Sequence, residues 1–344
     1  MKQILNTLYV TLPEAYVRLE NDTLCIQVER ENRLRVPLHH LGSLVCFGEV
    51  SVSPIALHRC AEEGISVVLL DRNGRFKARL EGPVSGNILL RQAQHRVACD
   101  EAFALDVSRA IIAGKIKNSR HVLLRGARDA KDDADVAALR RMADALADAL
   151  RRLEYAGDLD TVRGIEGETA KNYFGALRYL IRSDAREAFA MNGRSKRPPQ
   201  DRINALLSFL YALVMNDCRS AVEAVGLDPQ LGFLHAVRPG RAALALDMME
   251  EFRAVVADRL ALTLINRGQI GVGDFMLREG GGVHLGDDGR KKVLVAYQER
   301  KQEELIHPLL ETQINIGLLP MLQARFMART IREEMEGYLP FLAR

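Results

Sequence analysis

No Cys-x-x-Cys pair occurs in this sequence, and its five cysteines (Cys25, Cys46, Cys60, Cys99 and Cys218) are an odd number scattered singly. That argues against a disulfide framework and against a zinc finger. Reduced, mostly buried thiols in a cytoplasmic protein are expected instead. A strong charge surplus is also missing: 48 Lys and Arg against 45 Asp and Glu leave a formal net charge of +3. So mild a balance does not announce nucleic acid, and any basic surface must be local. The opening "MKQILNTLYVTLPEAYVRLE" lacks the apolar centre of a secretory signal. The longest nearly apolar run, "ALLSFLYALVM" at 205–215, stops at Asn216-Asp217. It is far below the ~20 residues that span a bilayer, so it reads as a buried core helix and no membrane association is expected.

What is present describes a globular chain. Its 344 residues are 48% hydrophobic and 27% charged, enough for a sizeable core and for two or three domains of roughly 100–200 residues. The first 85 residues alternate apolar and polar positions in "LYVTL", "AYVRLENDTLCIQVE" and "LRVPLHHLGSLVCFG", a strand pattern. Asn21-Asp22 and Asn73-Gly74 are candidate turns, and "PIALHRCAEEG" (54–64) is a short helix ended by Gly64. "EGPVSG" (81–86) breaks the composition, and beyond it the periodicity becomes helical. Helices are expected near 166–182, 201–224, 241–267 and 303–337, with 278–294 a Gly-rich exposed insertion. The fold class is therefore α+β. A β-rich N-terminal domain (1–85) is followed by a linker (86–100) into the first long helix and a large all-α domain (101–344).

The chemistry concentrates in "LHAVRPGRAALALDMMEEFR" (234–253), where His235 precedes a Pro239-Gly240 turn and a helix follows. At 100° per residue, Ala245, Met249, Phe252 and Val256 form a core-facing stripe, while Asp247, Glu250 and Glu251 fall on the opposite side. The plain alternative is a solvated acidic face beside an ordinary histidine. The functional alternative is a site for Mg²⁺ or Mn²⁺, hard cations that suit carboxylates plus one imidazole and activate oxygen nucleophiles in phosphodiester chemistry. A third carboxylate is then needed. Glu166 supplies it, placed between Gly164 and Gly167 at a helix start in "VRGIEGETAKNYFGALRYL". It also reads as a first-turn acid complementing the helix dipole, and Glu168 is its rival. "MNGRSKRPPQDR" (191–202) is a compact basic loop carrying Arg194, Lys196 and Arg197, suited to phosphate contacts or simply solvated.

Taken together, "LGSLVCFGEVSVS", "RGIEG…YF", "NGRSKRPPQDRINALLSFLYAL", "LGFLHAVRPGRAALALDMMEEFR" and "YQERKQEELIHPLLETQINIG" resemble, in order and spacing and over nearly the whole chain, the CRISPR-associated integrase of spacer acquisition, the "Cas-one" family. The wording "ALDMMEEFR" looks most like its type I-C branch. The resemblance implies a β domain that dimerises, a helical catalytic domain and a homodimer. It places the metal-binding and catalytic positions on Glu166, His235, Asp247 and Glu250, with Glu251 as a supporting residue. It implies Mg²⁺ or Mn²⁺ as cofactor. The implied reaction is a transesterification in which the 3′-hydroxyl of a captured DNA duplex attacks a phosphodiester at the edge of a CRISPR repeat. Asp247 would bind the metal directly or through water, or orient His235. Double-stranded and branched DNA would be held by Arg163, Arg194, Arg197, Arg238 and Arg241, with Lys291 and Lys292 as weaker candidates. A small ferredoxin-like partner, "Cas-two", would bridge two dimers. The competing expectations are a non-catalytic scaffold for branched DNA and a repair-type DNase that uses water as its nucleophile.

Overall fold

A computed structural model describes residues 7–71, 76–80 and 88–343. The expected turn at Asn73-Gly74 and the break at 81–86 lie outside those residues. The chain divides into two compact units, one of Met1–Ser85 with Leu294–Gln302, the other of Gly86–Val293 with Glu303–Arg344.

In the first unit, β1 (Thr7–Val10), β2 (Tyr16–Glu20), β3 (Thr23–Val28), β4 (Glu31–Pro37), β5 (Ser43–Phe47), β6 (Ser51–Val52), α1 (Pro54–Glu62), β7 (Ser66–Leu70) and β8 (Phe76–Leu80) follow one another. They build two four-stranded sheets, ordered β4-β3-β2-β6 and β1-β5-β7-β8. The first sheet consists of two antiparallel hairpins with β6 added parallel to β2. In the second, β1, β5 and β7 run parallel and β8 returns antiparallel. Alternation explains the core: Val17, Leu24, Ile26, Leu44, Cys46 and Val67 point inward and meet Ala56 and Cys60 of α1. Ser53 caps α1 by accepting the Ala56 N–H at 3.2 Å, with Pro54 in its first turn. Burial pushes the Cys46 thiol up to about 12 and Cys60 to about 11, so both are inert apolar filling. Gln298, in the second half of the helix Asp287–Gln302, donates to the Thr7 carbonyl at 3.2 Å. That half-helix was expected in the catalytic domain and instead completes this unit.

Both hairpins of the first sheet close with two residues at positive φ: Asn21 (+47°) and Asp22 (+54°), then Glu29 (+52°) and Arg30 (+66°). Asn and Asp tolerate this left-handed turn, whereas Glu and Arg are strained in it. Replacing Glu29-Arg30 by Asn-Gly is expected to stabilise this unit by about 1 kcal/mol. A rise in the denaturant midpoint at constant slope would show it.

The second unit is helical. It holds α2 (Ile88–Ala98), α3 (Glu101–Asp129), α4 (Asp133–Glu154), α5 (Leu159–Ala176), α6 (Arg202–Ala224), α7 (Ala243–Met249), a π-helical segment Arg253–Asp258 and α8 (Arg259–Asn266). The ribbon β9 (Phe275–Leu277) and β10 (Val283–Leu285), then α9 (Asp287–Gln302), whose second half belongs to the first unit, the ribbon β11 (Glu304–Ile306) and β12 (Gln313–Asn315), and α10 (Leu319–Ile331) complete the order. Aspartates start the long helices: Asp100, Asp132, Asp158 and Asp201 each accept a backbone N–H of the first turn. α3 packs along α4 and against α5, while α6 lies among α7, α8, α10 and the π-helical segment. By length and composition α6 would cross a membrane, but 61% of its most apolar window is buried in the protein, which makes it the core helix expected.

Four expectations are corrected. Residues 88–98 are helix, where a linker was expected across 86–100. The helix expected over 241–267 is interrupted, since α7 stops at Met249 and the backbone widens into the π-helical segment. The 278–294 insertion is the turn and second strand of a ribbon followed by the first half of α9. The helix expected over 303–337 is limited to Leu319–Ile331, after the second ribbon.

Candidate active site

α5 begins at Leu159, seven residues earlier than its expected start, and buries Val162, Ile165, Thr169 and Tyr173. Glu166 therefore stands in mid-helix, where a dipole-complementing role has no force. Its side chain is 29% exposed. A Cβ added at Gly164 or Gly167 would meet nothing within 4 Å, so the surface around Glu166 is open to an approaching chain.

Inward from Glu166 lies Lys115, at the middle of α3, with a side chain only 10% exposed. Its Nζ contacts Glu166 Oε1 and also lies 2.7 Å from Glu250 Oε2. Glu250 follows the end of α7 and is 2% exposed. Its Oε1 is 3.0 Å from Nη2 of Arg253 and 4.0 Å from Nε2 of His235. Burial alone would raise this carboxyl, but Arg253, Lys115 and His235 outweigh it and hold it at about 2.

His235 is positioned by Asp247, which is fully buried. Asp247 accepts the backbone N–H groups of Phe233 (2.7 Å), Leu234 (3.1 Å) and His235 (3.0 Å), and its Oδ1 lies 2.6 Å from His235 Nδ1. A carboxylate accepting three N–H bonds is an acceptor toward the imidazole too, so Nδ1 carries a proton, and the neutral form of the ring would offer its Nε2 lone pair to an approaching cation. No hydrogen bond reaches Nε2 among the described residues. Gly232 makes this fold of the loop possible, since a Cβ there would stand 2.5 Å from Asp247 Oδ2 and 2.7 Å from the Ala243 carbonyl carbon. Arg163 clamps the same loop by donating twice to the Leu234 carbonyl, at 3.0 and 2.8 Å, while pairing with Asp160.

The expectation that the acids of this helix avoid the core is overturned. Asp247, Glu250 and Glu251 are exposed by 0, 2 and 0%. Each is buried because each has partners of its own, and the break after Met249 lets neighbouring acids face different ways. Glu251 points to the C-terminal segment. It takes the Tyr338 hydroxyl, the Phe341 N–H (2.6 Å) and Gln323 Nε2 (3.0 Å), and burial raises it to about 8 against the pull of those bonds. It ties the C-terminal segment down, and among the described residues no hydrogen bond or ion pair joins it to Lys115 or His235.

The arginines chosen for DNA separate on inspection. Arg197 and Arg238 are exposed and Arg241 is half-buried beside the turn. Arg163 is committed to the His235 loop. Arg194 turns inward, donating to the Ser195 carbonyl, Asn204 and Ser208 and lying 5.3 Å over the Tyr211 ring. It organises the basic loop and is not a free phosphate contact. Lys292 pairs with Asp274 at 2.7 Å.

Lys115, Arg253, Gly232 and a buried Asp258 were not anticipated. Lys115 had one signal, a lysine inside the apolar "AIIAGKI" of α3. Asp258 accepts from Tyr211 (2.7 Å) and Tyr173 (3.0 Å), and Arg253 lies 4.9 Å over the Tyr211 ring. Burial raises Asp258 to about 6 despite these donors and Arg253. A carboxyl raised on folding stabilises the folded state fully below its unfolded value of 3.8 and loses that contribution as pH rises through 6. The loss amounts to about 3 kcal/mol. Denaturant melts between pH 3.5 and 7 should show a decline in the wild type that Asp258→Asn makes shallower by about that amount, the remainder belonging to Glu251, which burial also raises. An identical slope in the variant would count against this assignment.

Chemically, two carboxylates and an imidazole lone pair suit a hard or borderline divalent cation. The resident Lys115 ammonium already demonstrates that a cation is accommodated between Glu166 and Glu250. Glu250 Oε2 is buried with the Lys115 ammonium 2.7 Å away, so a divalent ion held there would take the ammonium's place. The set is open as it stands, because among the described residues no three His, Cys, Asp or Glu converge on one point.

The family described as CRISPR associated protein Cas1 matches residues 8–299. The CRISPR-associated endonuclease Cas1 1 of Moorella thermoacetica is 53% identical over 344 residues, covering 100% of both chains. A chain of a Cas6-RT-Cas1–Cas2 complex superposes with a TM-score of 0.85 at 21% identity, over 100% of this chain and 37% of that longer one. A casposase bound to integration product superposes at 0.82 with 19% identity, over 98% of this chain and 94% of that one. With a family match across most of its length and a full-length relative above half identity, the chain belongs to the CRISPR-associated Cas1 family.

Proposed function

We propose that this chain is a metal-dependent DNA endonuclease and integrase of CRISPR adaptation, joining the 3′-hydroxyl ends of spacer DNA to a repeat by transesterification. The single observation that carries the proposal is the cluster in which Glu166 and Glu250 share one cation while Asp247 holds His235 with its Nε2 4.0 Å from Glu250. The names of the related proteins support the same assignment: the full-length relative is called an endonuclease, and a protein of like fold is seen with an integration product.

Glu166, Glu250 and His235 Nε2 would hold Mg²⁺ or Mn²⁺. When bound, such an ion lowers the pKa of an attacking hydroxyl and neutralises charge on the phosphoryl oxygens. The residues of the chain supply the rest. Asp247 keeps the proton on Nδ1 so that Nε2 stays available. Arg253 neutralises the second oxygen of Glu250 and keeps that buried carboxylate ionised. Arg163 and Gly232 hold the loop that carries His235. Exposed Arg197 and Arg238, with Arg241, would meet the DNA backbone. A homodimer built on the β unit, and a Cas2 partner such as the one named in the related complex, would set the span between two such sites. The test is product analysis with a 3′-hydroxyl duplex and a repeat DNA in Mn²⁺. Joined strands are expected from the wild type and none in chelator. Shortened strands alone would reduce the chain to a nuclease, and binding without any product to a scaffold.

A further inference from the structure

We propose that Lys115 is the resting counter-cation of the site, holding Glu166 and Glu250 together until a divalent cation takes both carboxylates and displaces its ammonium. The inference rests on the metal-site assignment above and adds a step to it. Lys115 lies between Gly114 and Ile116, among the buried Ile111, Ile112 and Ser119 of α3, where an unpaired ammonium would be costly. Its contacts are one oxygen of Glu166 and one of Glu250, from two different elements. These are the oxygens that a bridging ion would need. Ammonium and ion cannot share them, because like charges at that separation repel strongly in a poorly hydrated site.

Of the two cations on Glu250, Lys115 is the one able to leave. Arg253 is fixed by its ion pair at 3.0 Å and by the Tyr211 ring at 4.9 Å, and its planar guanidinium is suited to staying in place. Lysine carries a compact charge on a flexible four-carbon stem that can withdraw toward open space, and Glu166 beside it is already partly exposed. Lys115 thus removes the repulsion between the two acids in the metal-free protein and lowers the site's affinity for the ion.

The test uses the intact wild-type chain. Lysine acylation followed by mass spectrometry should find Lys115 protected without metal and several-fold more reactive at saturating Mn²⁺, with exposed Lys131 unchanged. In parallel, calorimetry should find Lys115→Gln binding Mn²⁺ at least tenfold more tightly than wild type, with a lower metal-free melting temperature. If Mn²⁺ binds the wild type and is lost in Glu166→Gln, yet Lys115 reactivity does not rise or Lys115→Gln binds no tighter, displacement is wrong while the metal site stands. If the wild type binds no Mn²⁺, the metal site fails and displacement fails with it.

Discussion

His235→Ala is expected to reduce strand joining by roughly 10³-fold or more, while costing about 1.5–3 kcal/mol of stability for the lost Nδ1 bond to Asp247. The separation follows from what the side chain touches. Its Nε2 has no hydrogen-bond partner among the described residues and lies 4.0 Å from Glu250, so little folding energy is invested there. Its removal leaves Asp247 with all three backbone N–H donors, so the loop keeps its shape. What disappears is the one nitrogen lone pair in an otherwise oxygen-rich site. Joined product and thermal melts measured on the same preparation would check both halves. Retained joining would show that the imidazole is not part of the chemistry, and a collapsed melting temperature would show that it is structural.

Asp247 should weigh more on the fold. Asp247→Ala leaves three buried N–H groups and one imidazole N–H without an acceptor. At about 1–3 kcal/mol for each unsatisfied group, a loss of at least roughly 4 kcal/mol of stability is expected together with loss of activity. Asp247→Asn separates the two roles. Its amide oxygen still accepts, but its NH₂ faces donors, and Nδ1 no longer meets an anion. The imidazole can then turn or change tautomer, and a 10–100-fold loss in metal affinity is expected, with a smaller stability loss than in the alanine variant. Mn²⁺ titration of both variants, alongside denaturant melts, reads these quantities. If Asp247→Asn binds Mn²⁺ as wild type does, the carboxylate does not act through His235.

The contrast between these residues shows what could be read in advance. The β unit was legible because alternation over 8–48 has one physical solution, a strand with one buried face. Glu166, His235, Asp247 and Glu250 were legible from residue type and from the family resemblance together. Their environment was not. Ala243, Leu244, Ala245, Met248 and Met249 are all buried, so α7 is apolar nearly all round and no stripe marks an outer face. The π-helical widening at 253–258 leaves the residue pattern intact, and nothing in the periodicity announces it. Lys115 and Arg253 escaped notice because a compensating charge is chosen by proximity in space, and Lys115 comes from α3, remote in sequence from both acids. Arg194 was misplaced for a related reason. A basic loop reads as surface, yet this arginine turns in toward Asn204 and the Tyr211 ring.

The most direct test of the central claim is a crystal of the chain soaked in Mn²⁺, with anomalous scattering recorded at the manganese edge. The account predicts one strong peak bounded by Glu166, Glu250 and His235 Nε2, with Lys115 withdrawn from both carboxylates and Asp247 still on Nδ1. A peak elsewhere with Lys115 unmoved, or no peak at saturating Mn²⁺, would contradict it.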